Sequence, residues 1–196
     1  MKILRILIPT VVILSMAACQ EMKNSACQPQ HFYPKQFEKS EKNLIKNGAF
    51  SEGKRYWNPW QYGGIYSNLV KVVTYKGRNG KYQALRIENP HAKLTGLNQA
   101  VKVKAGKIYK LSAAARSTVT NSSAIIFGAR VGIRLPHQRE RKVIWMTEFN
   151  DWWKKKRIIT NGFTGTAVVY IDMGYGNVIS TGEFADVRLE VVSSEW

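Results

Sequence analysis

From Asn43 onward the chain consists of short runs in which apolar and polar residues alternate one by one. This period of two narrows the available folds more than any other feature. In one run Tyr109, Leu111, Ala113 and Ala115 share a face, opposed by Lys110, Ser112, Ala114 and Arg116. In a second, Ala129, Val131, Ile133 and Leu135 oppose Arg130, Gly132 and Arg134. In a third, Ala185, Val187, Leu189 and Val191 are expected inward, with Asp186, Arg188 and Glu190 outward. One apolar face per run is the pattern of antiparallel strands that lay one side on a core. The runs are Asn43–Phe50, Leu69–Tyr75, Tyr82–Glu88, Leu97–Val103, Ile108–Arg116, Ile125–Leu135, Lys142–Phe149, Trp153–Thr160, Ala167–Asp172 and Phe184–Val192. Gly, Asn, Pro and Ser punctuate them, and neither a helical period nor an internal repeat is present. Together they predict an all-β, two-sheet antiparallel sandwich of jelly-roll type.

The length of 196 residues fits one domain with a sizeable core. Six Trp, nine Tyr and seven Phe supply too much burial-seeking surface for a disordered chain. Two cysteines exclude a disulfide scaffold and a multi-cysteine metal cage.

Residues 1–18 read as a signal peptide outside the fold. Lys2 and Arg5 precede an apolar run from Ile6 to Met16, too short to span a bilayer as a mature helix. The run ends in Met16-Ala17-Ala18-Cys19, which resembles the lipobox of bacterial lipoproteins. That resemblance implies cleavage before Cys19, a lipid on its sulfur and a membrane anchor. Gln20 comes next, with no Asp to retain the protein at the inner membrane, so the expected location is the outer membrane. Residues 19–42 are the expected tether, which carries Cys27, and residues 43–196 the folded domain.

Several pieces of the folded domain occur in a telling order. Asn43-Leu44-Ile45-Lys46-Asn47-Gly48-Ala49-Phe50 opens it, and Trp57 comes seven residues later. Next are Ala84-Leu85-Arg86-Ile87, Leu97-Asn98-Gln99-Ala100-Val101 and Gly106-Lys107-Ile108-Tyr109-Lys110-Leu111-Ser112. Trp153-Lys154-Lys155 leads into a strand, and Ala185-Asp186-Val187-Arg188-Leu189 closes the domain. The set resembles carbohydrate-binding modules of families four, nine, sixteen and twenty-two, within the galactose-binding-like jelly rolls. The resemblance implies a glycan held on a concave sheet face or loop rim, with no catalysis. It also implies a structural calcium ion held by a carboxylate after the opening Phe and by the closing Asp. Here Ser51 stands directly after the Phe, so Glu52 and Asp186 are the candidate calcium ligands.

Catalytic signatures are missing from the sequence. His31, His91 and His137 are scattered without metal-ligand spacing, and no nucleophile elbow or phosphate loop is present. Glu88, Glu148 and Asp151 form no recognisable acid–base pair. Ligand candidates are aromatic or guanidinium groups. Trp57, Trp60, Tyr62 and Tyr66 cluster near Asn58, Gln61 and Asn68, and sugar C–H faces pack on aromatic rings. Trp57 is expected in the core, leaving Trp60 and Tyr62 as ligand candidates. Trp152, expected to point away from Trp153 and to be the more exposed of the two, is a third. Arg116, Arg130 and Arg134 are expected on the polar face of one sheet, where their planar forks suit carboxylate, sulfate or phosphate.

The formal charge is +17, and loss of residues 1–18 leaves 28 basic against 13 acidic side chains, a net +15. Such an excess concerns partners, not fold. Basic residues beside aromatics suit single-stranded nucleic acid, but an exported lipoprotein meets acidic envelope polymers instead. The expected function is therefore non-catalytic binding of an anionic envelope glycan. The alternative is an assembly lipoprotein that docks on another envelope protein.

Overall fold

The computed structural model describes residues 43–59, 67–77, 80–91, 94–119, 128–145, 149–174 and 179–192, all within the unit formed by residues 31–196. Ten strands occur among them: β1 Asn58–Pro59, β2 Val70–Gly77, β3 Gly80–Asn89, β4 Thr95–Val103, β5 Ile108–Val119, β6 Arg130–Arg134, β7 Arg141–Trp145, β8 Phe149–Thr160, β9 Gly165–Met173 and β10 Ser180–Val191. A 3-10 turn at Ser67–Leu69 leads into β2, and no helix of the described residues is long and apolar enough to cross a membrane.

The strands form two five-stranded sheets. Sheet I has the order β1-β4-β9-β6-β7 and sheet II the order β2-β3-β10-β5-β8. Every pairing is antiparallel. Only β2–β3 and β6–β7 connect neighbours within a sheet; every other connection passes from one sheet to the other. The result is the jelly-roll sandwich that the alternation predicts.

The core lies between the sheets. Leu111, Ala113 and Ala115 of β5 and Leu85 and Ile87 of β3 meet Val131 and Ile133 of β6 and Val169 and Ile171 of β9. All are essentially without exposed surface. Each large aliphatic side chain buried in this way contributes roughly 1.5–3 kcal/mol. Trp57 is buried against Phe50, with ring centroids 5.6 Å apart, and its indole N–H donates to Asn47 O.

The backbone departs from simple alternation at two places. The segment 43–50 is not a strand. It makes one bridge, Asn43 to Glu190, and then turns at Asn47 and Phe50, whose φ angles of 52° and 57° are left-handed. Two backbone bonds, from Leu44 N–H to Leu189 O and from Val187 N–H to Gly48 O, tie it to β10, and side-chain bonds add to them. Asn43 Oδ1 accepts from the N–H groups of Ile45 and Leu189, and Gln99 brackets Lys46 from inside the sandwich. The second departure is in β10. Its register with β5 shifts between Ala185 and Arg188, where Asp186 has φ 51°. This bulge keeps Phe184, Val187 and Leu189 inside but turns Ala185 to the outer face of sheet II, where the alternation placed it inward.

Candidate functional site

The connection from β5 to β6 passes between the sheets, so Arg116 and the pair Arg130 and Arg134 stand on different sheets. The expectation of three arginines on one sheet face is therefore corrected. Arg116 belongs to sheet II, with Trp152. Trp152 is also corrected: it is 7% exposed and packs with Ala84, Ala114 and Ala185, whereas Trp153 is half-buried. Trp60, Tyr62, Cys19 and Cys27 lie outside the described residues.

Arg130 and Arg134 flank Gly132 on the outer face of β6, since Val131 and Ile133 take the core. Asp172 on β9 is the register partner of Arg130, and Tyr170 that of Gly132. Arg141 on β7 is the register partner of Arg134. Three strands thus bring five polar or aromatic side chains together.

Asp172 anchors the group. Arg130 Nε and Nη2 donate to its two carboxylate oxygens at 2.5 and 2.9 Å, a forked pairing. Arg141 Nη1 adds a third bond at 3.1 Å. Arg130 and Asp172 are buried even though they stand on the outer side of the sheet. Burial pushes the Asp172 carboxyl above the usual carboxylate range; the two guanidiniums pull it down but do not outweigh burial. The Arg141 guanidinium is lowered, chiefly by burial and also by the charges of Arg130 and Arg134, with Asp172 opposing.

Tyr170 lies beneath the cations. The Arg141 guanidinium carbon is 4.1 Å from its ring centroid and that of Arg134 is 5.9 Å away. Arg134 is exposed. Arg134 and Arg141 directly oppose one another on neighbouring strands, an arrangement of like charges that costs stability by itself. Three guanidiniums meet one carboxylate, so the cluster carries a net +2. Glycine at 132 leaves the surface beside Tyr170 low. Glycine at 96 is required by packing, because a Cβ there would run into the Ile171 carbonyl oxygen and the Asp172 backbone.

The sequence reading missed Tyr170, Arg141 and Asp172. Tyr170 and Asp172 alternate with the core residues Val169 and Ile171, so their outward direction was readable from β9 itself. Their association with β6 and β7 was not, because it depends on sheet order.

The candidate calcium ligands do not fit an ion. Asp186 is turned to Lys154 at 2.7 Å through one oxygen and to Arg188 through the other. Glu52 pairs with Arg55 at 2.9 Å. Among the described residues no group of three or more His, Cys, Asp or Glu side chains could hold a metal. Of the other carboxylates singled out in the sequence, Glu88 pairs with Lys71, Asp151 is described only in its backbone, and Glu148 lies outside the described residues.

Comparison with known proteins places this architecture. Among curated protein sequences there is no match. Among solved structures, a family 16 carbohydrate-binding module aligns with a TM-score of 0.54 at 22% identity, over 75% of this chain and 99% of that one. TmCBM61, solved in complex with β-1,4-galactotriose, aligns with a TM-score of 0.54 at 17% identity, over 76% of this chain and 99% of that one. The enzymatically active domain of tailspike protein 4 from bacteriophage CBA120 aligns with a TM-score of 0.60 at 14% identity, over 77% of this chain but only 22% of that one. At these identities the likeness is one of fold. The family model described as carbohydrate binding domain matches residues 42–173, which run from the opening turns through β9. The chain belongs to the carbohydrate binding domain family.

Proposed function

We propose that this protein binds an anionic glycan on the outer face of sheet I. Its role is binding, not catalysis. The observation that carries the reading is the register opposition of Arg134 and Arg141 over Tyr170. Two like charges are held side by side, and one of them is locked to Asp172. An acid group of a sugar chain placed between them relieves their repulsion and takes bonds from both forks. Solved relatives in fold include a module with a bound galactotriose, a neutral sugar; the surplus positive charge directs this chain to acidic ones. Trp60 and Tyr62 are proposed as further sugar-stacking groups. Lipidation of Cys19 would anchor the protein in the outer membrane, within reach of envelope polysaccharide.

The test is titration of the chain with a galacturonate trimer and with galactotriose, at low and at physiological salt. Exposed charges are screened over a Debye length of about 8 Å at physiological salt. A seated acid group is screened less. Binding of the acidic trimer that survives physiological salt and is lost in the Arg134→Ala, Arg141→Ala double variant supports the reading. Equal binding of both trimers, or acidic binding untouched by the double variant, overturns it.

A further inference from the structure

The outer face of sheet II carries a second apolar cluster, separated from the main core by the sheet itself. Ala84 of β3, Ala185 of β10 and Ala114 of β5 have no exposed surface. Ala185 and Ala114 are register partners, and Ala84 faces Val73. Val73, Tyr75, Tyr82 and Trp152 cover them. Tyr75 and Tyr82 are cross-strand partners whose rings stack at 5.4 Å and 28°. Trp152 meets Tyr82 edge-on at 6.1 Å. Alanines let the rings settle close to the sheet, while both tyrosines stay half-exposed. The Trp152 indole N–H is buried with no acceptor in bonding geometry, and burial raises the Tyr82 hydroxyl above its ordinary value, with Trp152 opposing only in part.

A clamped cation completes the group. The Arg116 guanidinium carbon lies 5.1 Å from the Tyr75 ring centroid and 5.2 Å from that of Trp152. Glu183, buried on β10, accepts from Arg116 Nε at 2.5 Å, from Arg86 Nε at 2.8 Å and from the Tyr75 hydroxyl. Arg86 also donates to Tyr75 Oη at 2.8 Å. One carboxylate fixes two guanidiniums and neutralises one of them. The side chains of Arg86 and Arg116 remain 35% and 31% exposed, so the surplus charge faces solvent.

Sheet stability accounts for the Glu183 pairing. It does not account for three aromatic side chains set on an alanine floor outside the core with a surplus cation held between two of them. Aromatic faces take the C–H faces of a sugar ring, and a fixed guanidinium fork beside them takes an acid group on the same residue. We infer that the outer face of sheet II is a second site for an acidic sugar, formed by Tyr75, Tyr82, Arg116 and Arg86, with the buried Trp152 supporting them from beneath. It stands opposite the site on sheet I and uses none of its residues. With both faces occupied, one chain bridges two glycan strands, and avidity arises from geometry.

Calorimetric titration with a galacturonate trimer, combined with turbidity on mixing with polygalacturonate, tests this directly. The full chain is expected to bind two trimers and to cloud the polymer. Tyr82→Ala and Arg116→Gln each are expected to remove one site, with roughly tenfold or greater loss there, and to clear the turbidity. The site that survives on sheet I shows that these variants are folded. Tyr82→Phe keeps the ring and is expected to retain both sites. A single site that Tyr82→Ala and Arg116→Gln leave intact, but that the Arg134→Ala, Arg141→Ala variant removes, overturns the inference and leaves the sheet I reading standing. A single site removed by Tyr82→Ala and untouched by the sheet I variant upholds the sheet II site and overturns the sheet I reading.

Discussion

The Arg141 guanidinium lies 4.1 Å from the Tyr170 ring centroid while one of its nitrogens bonds Asp172 at 3.1 Å. Stacking on the ring and bonding to the carboxylate fix the plane of the fork and so the direction from which an anion can approach. Lysine keeps the charge but has neither the plane nor the paired donors. Arg141→Lys is therefore expected to weaken binding of an acidic trisaccharide about tenfold, about 1.4 kcal/mol. Calorimetry at constant salt measures this, and a melting temperature within a few degrees of the parent separates the effect from unfolding.

Gln99 occupies a core-facing position on β4, between the buried Leu97 and Val101. Its side-chain amide brackets Lys46: Oε1 accepts from the backbone N–H at 2.7 Å and Nε2 donates to the backbone O at 2.9 Å. The amide thus gives the Lys46 backbone the two partners that a neighbouring strand would otherwise supply. Gln99→Leu fits the apolar surroundings but abandons both backbone groups. The expected loss is about 1–3 kcal/mol, measured as a lower urea midpoint with an unchanged slope.

These residues show how far the alternation could be read. It assigned the inward faces of β5 and β6 correctly, because side-chain direction in a strand is local. It could not assign strands to sheets. Arg116 and Arg130 are separated by a connection that crosses the sandwich, and nothing in the flanking residues says whether a connection crosses or returns. Ala185 was misplaced because a bulge resets the alternation within β10. Trp152 was expected to be the more exposed because it points away from Trp153, but the face it points to carries its own apolar cluster. The Asp186 carboxylate was read as a metal ligand; Lys154 arrives from β8 to neutralise it, a long-range pairing that sequence does not display.

Glu183 is held ionised in the fold. Burial works against its charge, but the bonds from Arg116, Tyr75 and Arg86 prevail and hold its carboxyl below the usual range. A folded-state value below the unfolded one gives stability that is complete above the ordinary glutamate range and is lost as the pH falls through the folded value. Glu183→Gln is therefore expected to be less stable than the parent at neutral pH, by about 1–3 kcal/mol. The gap should close as the pH drops below about 4.5, the ordinary value. Parallel denaturant titrations from pH 7 downward measure it; a gap that stays constant with pH would refute this account of the Glu183 pairing.

Asp172 titrates in the opposite sense and should reach the ligand. Its carboxyl is raised by burial despite Arg130 and Arg141, so in the folded protein it takes up a proton above the ordinary carboxylate range. Protonation changes the cluster of Arg130, Arg134, Arg141 and Asp172 from +2 to +3. The added charge favours an incoming acid group as long as the sugar itself stays ionised. Affinity for an acidic trisaccharide is expected to rise as the pH is lowered from neutral through that range, and then to fall once the ligand protonates. Asp172→Asn removes the titrating group, so its affinity should be higher at neutral pH and nearly flat down to the ligand's own protonation. Titrations of parent and variant over the same pH series decide the matter: a parent profile as flat as that of Asp172→Asn would show that Asp172 does not govern the charge of this site.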